Sequence, residues 1–242
     1  VKKRVWVIGN GPSLNHTPLH DLIGEDCFAM NGIWRIYDKT EWRPTHYFLI
    51  DFSPKSPVAW RDPIIIHQAM GIPMWLLDIY KNGFPPGHAN FEDLPWGNGV
   101  GNLPDTTWVP RCKQHHFYYA GNSKSLQEWH LPELCTGLNT IGTMMQVAVL
   151  LGYDEIYLLG CDLGFVSDWN KNYFDPNYNT WESRDLHDHY NKQALQAHQV
   201  AKKSSPIPIY NCTIGGKLDV HPRREMQAVL NGEYERDYEN ED

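Results

Sequence analysis

The chain reads as an α/β protein: a Rossmann-like, mainly parallel sheet flanked by helices, with a lid segment. Three observations predict this. Short apolar runs rich in β-branched and aromatic residues recur at Val5–Ile8, Cys27–Met30, Tyr47–Ile50, Ile156–Leu159 and Ile207–Tyr210. They are interleaved with segments of helical period, the pattern of a parallel sheet with crossover helices. Each run is followed by Gly, Asn or Asp, as expected where parallel strands deliver their C-terminal ends to a ligand crevice.

Taken in order, Val5–Ile8 closed by Gly9 predicts a buried strand, and the polar and apolar mixture through Ile23 is compatible with a helix. Cys27–Met30 and Tyr47–Ile50 predict the next two strands, and Ile64–Ile66, ending at His67, a fourth. Residues 71–110 are rich in Pro, Gly and Trp, which predicts an irregular insertion. From Asn139 to Leu151 the apolar residues Ile141, Met144, Met145, Ala148, Val149 and Leu151 recur at helical spacing, with Gly152 placed to end the helix. Asp154 then leads into the strand Ile156–Leu159. The polar, aromatic stretch at about 165–188 has no clean period and is expected to form a lid. His189–Lys203 predicts a helix, and Ile207–Tyr210 the last core strand. Residues 1–230 are thus expected to form a single α/β domain, followed by a solvated acidic tail, 231–242.

Composition narrows the function classes. A formal net charge of −8 argues against a general nucleic-acid binder, while leaving room for a local pocket that takes a small anionic ligand. The five cysteines, Cys27, Cys112, Cys135, Cys161 and Cys212, lie far apart with no C-x-x-C pair, so neither a disulfide framework nor a zinc cluster is expected. No stretch reaches the roughly 18 consecutive apolar residues of a membrane span. Lys2, Lys3 and Arg4 precede only a short apolar run, which does not read as a signal peptide. A cytoplasmic protein is expected, and a homo-oligomer is compatible with the sequence.

The sharpest motif is Gly9-Asn10-Gly11-Pro12-Ser13-Leu14. Glycines allow a tight turn and bring backbone N–H groups near an anion, and a helix start beyond them would favour negative charge. The motif lacks the Lys-Ser/Thr pair of a Walker loop and is not a complete G-x-G-x-x-G fingerprint; an ordinary strand-to-helix turn would look the same. Asn31 and Asp51 stand at successive strand ends, where they could bond a base or ribose or, for Asp51, hold a metal. Asp162, after Gly160-Cys161, could bind ribose hydroxyls, hold Mg²⁺ or cap the next turn. His187 and His189 flank Asp188 before a helix, and a histidine there is suited to take a proton from a hydroxyl. Gly215 and Gly216, with Lys217 beside them, could admit a phosphate or form a tight turn.

In combination these motifs resemble a family. Gly9-Asn-Gly-Pro-Ser-Leu14, Asn31 and Leu151-Gly-Tyr-Asp-Glu-Ile-Tyr-Leu-Leu-Gly-Cys-Asp162 are similar to the bacterial sialyltransferases of glycosyltransferase family 42. They also resemble the "domain of unknown function 115" group, which includes flagellin-modifying glycosyltransferase-like proteins and hydroxymethylpterin diphosphokinases. The closing Tyr210-Asn-Cys-Thr-Ile-Gly-Gly-Lys-Leu218 looks more like that second group. The resemblance covers roughly residues 1–51 and 135–220.

It implies that Gly9, Asn10, Gly11 and Ser13 contact the nucleotide, and Asn31 its sugar or base. Asn139 and Thr140 fall at a Thr-Ser pair near the donor, and Asp162 on an Asp after a Gly. His189 falls on the general-base histidine, and Tyr173 on one of two tyrosines that bond the leaving phosphate. The second tyrosine would fall near Gly164-Phe165, and an arginine near Gly137; neither residue is present there. The implied activity is sugar transfer from a nucleotide-activated donor, a CMP-sugar of the sialic-acid type, to the hydroxyl of a glycan or small-molecule acceptor, with no metal required. The second group implies instead an Mg²⁺-dependent transfer from ATP to a small hydroxymethyl compound such as a pterin, with Asp51 or Asp162 as metal ligands. A nucleotide-binding module without catalysis is the third alternative.

Overall fold

The structure, a computed structural model, describes residues 2–50, 58–82, 101–110, 128–136, 139–168, 171–178 and 187–235. Seven strands form one sheet: β1 (Arg4–Ile8), β2 (Cys27–Met30), β3 (His46–Leu49), β4 (Met74–Leu77), β5 (Thr106–Val109), β6 (Glu155–Leu159) and β7 (Ile209–Asn211). Their order is β5-β4-β3-β2-β1-β6-β7, and every neighbouring pair is parallel. The chain therefore builds outward from β1 to β5, then returns to lay β6 and β7 on the other side of β1.

Both faces of this sheet are covered, which is why its strands read as continuous apolar runs rather than as alternating ones. Val5 and Val7 point into a layer formed with α3 (Thr140–Leu150) and α4 (His187–Ser204), where they meet Met144, Val147 and Ala201. Trp6 and Ile8 point the other way. They pack with Leu14, Leu22, Ile33 and Ile36, carried on the short 3-10 helices Pro12–His16, Leu19–Leu22 and Asn31–Lys39. That layer is completed by α1 (Val58–Ala69) and α5 (Met226–Leu230), while α2 (Ile79–Asn82) follows β4. Among the described residues no helix is long and apolar enough to cross a membrane.

Three local expectations are corrected. Ile64–Ile66 is not a strand but part of α1, in which Ile64 and His67 are buried while Ile65 and Gln68 are exposed. Three consecutive isoleucines behind a proline mimic a strand locally, and only the spacing of the buried positions reveals the helix. Residues 71–110 are not irregular throughout, because they supply β4 and β5, each too short for its period to stand out among prolines and tryptophans. The segment up to Ile23 forms two 3-10 turns rather than one helix. The helix expected after Asn139 is present: the Asn139 side chain accepts from the Gly142 N–H at 2.8 Å, and Gly152 ends it with φ +73°.

Candidate functional site

β1 is the strand at which the sheet order reverses, and its carboxyl end meets that of β6. Two glycines make that meeting close. The Gly9 N–H donates to the Leu159 carbonyl at 2.8 Å, and a Cβ on Gly9 would lie 2.5 Å from the Gly160 oxygen. The Gly11 N–H donates to the Gly160 carbonyl at 2.9 Å, and a Cβ there would run into the Asp162 carboxylate. Ser13 completes the joint. Its N–H and Oγ–H donate to Asp162 Oδ1 at 3.2 Å and Oδ2 at 2.8 Å. Burial raises the Asp162 carboxyl above the usual range, and the two donors from Ser13 pull it back.

These bonds change the reading of the Gly-Asn-Gly-Pro-Ser loop. The Gly9, Gly11, Ser13 and Leu14 amides are all spent inside the protein, the last on the Gly11 carbonyl at 3.2 Å. The segment beyond Pro12 is a five-residue 3-10 turn rather than an α-helix. The backbone cradle for an anion that the motif suggested is therefore not what the loop forms; the glycines let β1 and β6 touch. Asp162, left open in sequence between ligand contact and cap, has both oxygens on Ser13.

A second polar cluster lies on the other side of β1, toward β2. Asn10 follows Gly9, and its Nδ2 donates to the Met30 carbonyl at 3.1 Å and to Tyr178 Oη at 2.8 Å. Because the Met30 oxygen can only accept, the amide orientation is settled, and its Oδ1 is the buried atom with no hydrogen-bond partner among the described residues. Tyr178 Oη also accepts the Gly32 N–H at 2.9 Å. Across that peptide, the Asn31 carbonyl accepts from Tyr47 Oη at 2.9 Å. The Asn31–Gly32 peptide is thus gripped from both sides, and Asn31 is held at φ +49°, in the left-handed region.

Tyr178 stacks on Tyr173, with ring centroids 4.2 Å apart and planes 8° from parallel. The rings continue to Phe165 (6.1 Å from Tyr173), Tyr190 (6.0 Å from Phe165) and His189 (5.8 Å from Tyr190). His189 is exposed in the first turn of α4, and Tyr173 is half-buried. Two asparagines fix the segment that joins them. Asn191 Oδ1 accepts from the Gly164 and Phe165 amides at 2.9 and 2.7 Å, and its Nδ2 returns a bond to the Phe165 carbonyl. Asn172 clips the Val166 N–H and carbonyl in the same way, each at 2.8 Å. Leu163, at φ +54°, lies in the tight turn between Asp162 and Gly164.

The remaining sequence candidates are distributed around this site. Gly215 and Gly216 both have positive φ; Gly216 packs against the Asp162 backbone, and the Lys217 N–H donates to the Asp162 carbonyl at 2.6 Å. Gly216 and the Lys217 amide brace the Asp162 turn, while the Lys217 side chain is exposed with its stem close to Gly164. The Asn139 side chain is the cap of α3, and Thr140 beside it is buried, its Oγ1 without a hydrogen-bond partner among the described residues. Asp51 lies outside the described residues, as do 169–170 and 179–186 of the expected lid. Among the described residues no three His, Cys, Asp or Glu side chains converge as for a metal ion. Sequence reasoning missed Tyr178, Asn172 and Asn191. Tyr178 is five residues beyond Tyr173, a spacing with no regular period, and the asparagines resemble ordinary loop residues.

No protein-family model matches the chain, and no curated protein matches it in sequence. Solved structures do match in shape. The MAf glycosyltransferase from Magnetospirillum magneticum AMB-1 superposes over 94% of this chain with a TM-score of 0.53 and 14% identity. This chain spans about a third of that protein, 34% of its length. The sialyltransferase CstII from Campylobacter jejuni, in complex with cytidine-5′-monophosphate, matches over 92% of this chain and 88% of its own, with a TM-score of 0.47 and 18% identity. A complex of CST-II with a trisaccharide acceptor and CMP gives 0.43 and 18%, over 92% and 89%. At such identity the first likeness is one of fold, a parallel α/β sheet of the same kind.

Proposed function

We propose that the chain is a glycosyltransferase that moves a sugar from a nucleotide-activated donor, CMP-linked as the sequence resemblance implies, to an acceptor hydroxyl. The observation that carries the reading is a juxtaposition. Asn10 and the clamped Asn31–Gly32 peptide, at the carboxyl ends of β1 and β2, are hydrogen-bonded to Tyr178, and ring contacts run from Tyr178 through Tyr173, Phe165 and Tyr190 to His189 at the start of α4.

The chemistry follows from the kind of group each residue brings. The buried Asn10 Oδ1 is an acceptor and suits an N–H or O–H of the ligand, such as a base amino group or a ribose hydroxyl, rather than a phosphate. Tyr178 Oη accepts from the Asn10 amide and from the Gly32 N–H, which fixes the phenol beside the clamped peptide. Together with Tyr173 it can donate to the phosphate as the bond between sugar carbon and phosphate oxygen breaks, spreading the charge that develops there. His189 takes the proton of the acceptor hydroxyl as its oxygen bonds to that carbon. The segment 165–188 would close over the donor and exclude water. Asp162, which accepts from Ser13 through both oxygens, has no part in this route.

A thermal-shift screen against CMP, CDP, UDP, GDP, ADP and ATP, with and without Mg²⁺, tests the ligand class. Ligand at a hundred times its Kd adds about 2.7 kcal/mol. A metal-independent shift with CMP is expected; a shift confined to ATP with Mg²⁺ would replace this reading by diphosphoryl transfer. His189→Ala should lower transfer by roughly 10²- to 10⁴-fold with CMP binding intact, and near-normal turnover would remove His189 from the role of base.

A further inference from the structure

Below the Asn31–Gly32 peptide lies a buried group that the chemistry above does not use. His67, in α1, is fully buried, and both of its ring nitrogens are engaged. Nδ1 is 2.6 Å from the Pro63 carbonyl, and Nε2 is 2.7 Å from Tyr37 Oη. A carbonyl oxygen can only accept, so Nδ1 carries the hydrogen; Nε2 is then an acceptor, and Tyr37 Oη–H donates to it. The tautomer is fixed by its neighbours. The imidazole lies flat on Tyr47, with ring centroids 3.7 Å apart and planes 11° from parallel. Tyr47 is itself fully buried, and its hydroxyl is the one that donates to the Asn31 carbonyl.

We propose that His67 is a positioning residue for the ligand site: seated in one tautomer between α1 and Tyr37, it sets the plane of the Tyr47 ring, and through the Tyr47 hydroxyl it keeps Asn31 in its left-handed conformation. Three features support this over simple core filling. A leucine or phenylalanine would fill the space but leave the buried Tyr37 hydroxyl without its acceptor. The contact on Tyr47 is a near-parallel stack, which constrains ring tilt more than an edge contact does. The far end of the chain is a strained backbone rather than a relaxed one, and such a conformation persists only where its surroundings hold it. Arg43, 4.2 Å from the Tyr37 ring, backs the assembly from outside. The consequence for ligand affinity rests on the reading that Asn31 faces the nucleotide; the consequence for the backbone does not.

The test uses the full chain and two variants, Tyr47→Phe and His67→Leu, with Val229→Ala, buried on α5, as a control for general loss of stability. The first readout is spectroscopic: the Asn31 Cα and Cβ chemical shifts and the HN–Hα coupling, which report φ. The second is the Kd for CMP. Both variants should move the Asn31 signals away from left-handed values, and Val229→Ala should not. A lost hydrogen bond of about 0.5–1.5 kcal/mol corresponds to CMP binding weakened by about twofold to tenfold. Unmoved Asn31 signals in Tyr47→Phe would overturn the proposal, whether or not His67→Leu folds. Movement in Tyr47→Phe but none in folded His67→Leu would overturn the role of His67. If the wild type does not bind CMP, the nucleotide reading fails, and the Asn31 signals still decide the positioning.

Discussion

Replacing Asp162 by Asn tests whether the carboxylate at the end of β6 serves the fold or a ligand. Oδ1 accepts the Ser13 N–H and Oδ2 the Ser13 hydroxyl. Each is a hydrogen bond to a charged acceptor, a kind that contributes about 1.5–3 kcal/mol. The Asn side chain keeps the first acceptor and puts an amide nitrogen at the second, so the Ser13 hydroxyl must turn and accept instead. A loss of about 1–2 kcal/mol is expected for Asp162→Asn and about 1–3 kcal/mol for Ser13→Ala. If the two side chains act mainly on each other, the double variant costs little more than the worse single one, a coupling of about 1–2 kcal/mol. Urea unfolding reads this as midpoint shifts of the order of 1 M. Additivity within about 0.5 kcal/mol would refute the pairing. So would an Mg²⁺-dependent stabilisation of the wild type that Asp162→Asn abolishes, which would put a metal on this carboxylate.

Gly11→Ala should damage the same joint, because its Cβ meets the Asp162 carboxylate; a stability loss of about 2 kcal/mol or more is expected, and a change within about 0.5 kcal/mol would show that the loop relaxes freely. Acid should weaken the fold through its buried histidines. Burial lowers His67 and His221 to about 4 and His198 to about 3, the last two hydrogen-bonded to each other at 3.2 Å. The unfolded chain takes up these protons below about pH 6.5 while the folded one does not, so stability present above that pH is lost as pH falls toward 4, at about 1.4 kcal/mol per pH unit for each group titrating independently. A flat urea midpoint between pH 6.5 and 4.5 would contradict this. His198→Gln should reduce the slope in the same window, since it removes one member of the pair.

How much of this was legible in sequence depends on the range of the interactions concerned. The strands β1, β2, β3 and β6 were readable because a sheet covered on both faces leaves unbroken apolar runs, and the parallel architecture followed from their alternation with helices. Ile64–Ile66 misled because a proline and three β-branched residues resemble a strand over so short a window. β4 and β5 were hidden because they lie within a stretch dense in Pro, Gly and Trp, where a four-residue run has no clear boundary. At the site, the glycine loop announced a close approach correctly, but not what it approaches. The partner of Gly9 and Gly11 is the chain about 150 residues on, at Gly160 and Asp162, and nothing local distinguishes that contact from a phosphate. Tyr178 was invisible for the same reason, since its significance comes from Asn10 and Gly32, which only the fold brings to it.

On the proposed reading, the ligand site sits slightly away from where fold analogy would put it. In an open parallel sheet the crevice beyond the strand at which the order reverses is the natural ligand position, here between β1 and β6. Gly9 against Gly160, Gly11 against Asp162, and Ser13 bonded to both carboxylate oxygens fill that position with protein. What is left is the neighbouring pair of carboxyl ends, β1 and β2, where Asn10 spans to the Met30 carbonyl and Tyr178 closes over Gly32. A ligand there meets side chains rather than a ring of backbone amides. Its negative charge has to be met by hydroxyl donors, and its polar hydrogens by amide oxygens such as Asn10 Oδ1. That division of labour differs from a glycine-loop phosphate cradle, and it makes Asn10→Ala informative. Removing the side chain deletes an acceptor for the ligand together with one of the donors that Tyr178 accepts. If the acceptor matters, CMP and cytidine should both lose affinity, by about tenfold for a bond of about 1.4 kcal/mol. A loss confined to CMP would mean that Asn10 serves the phosphate after all.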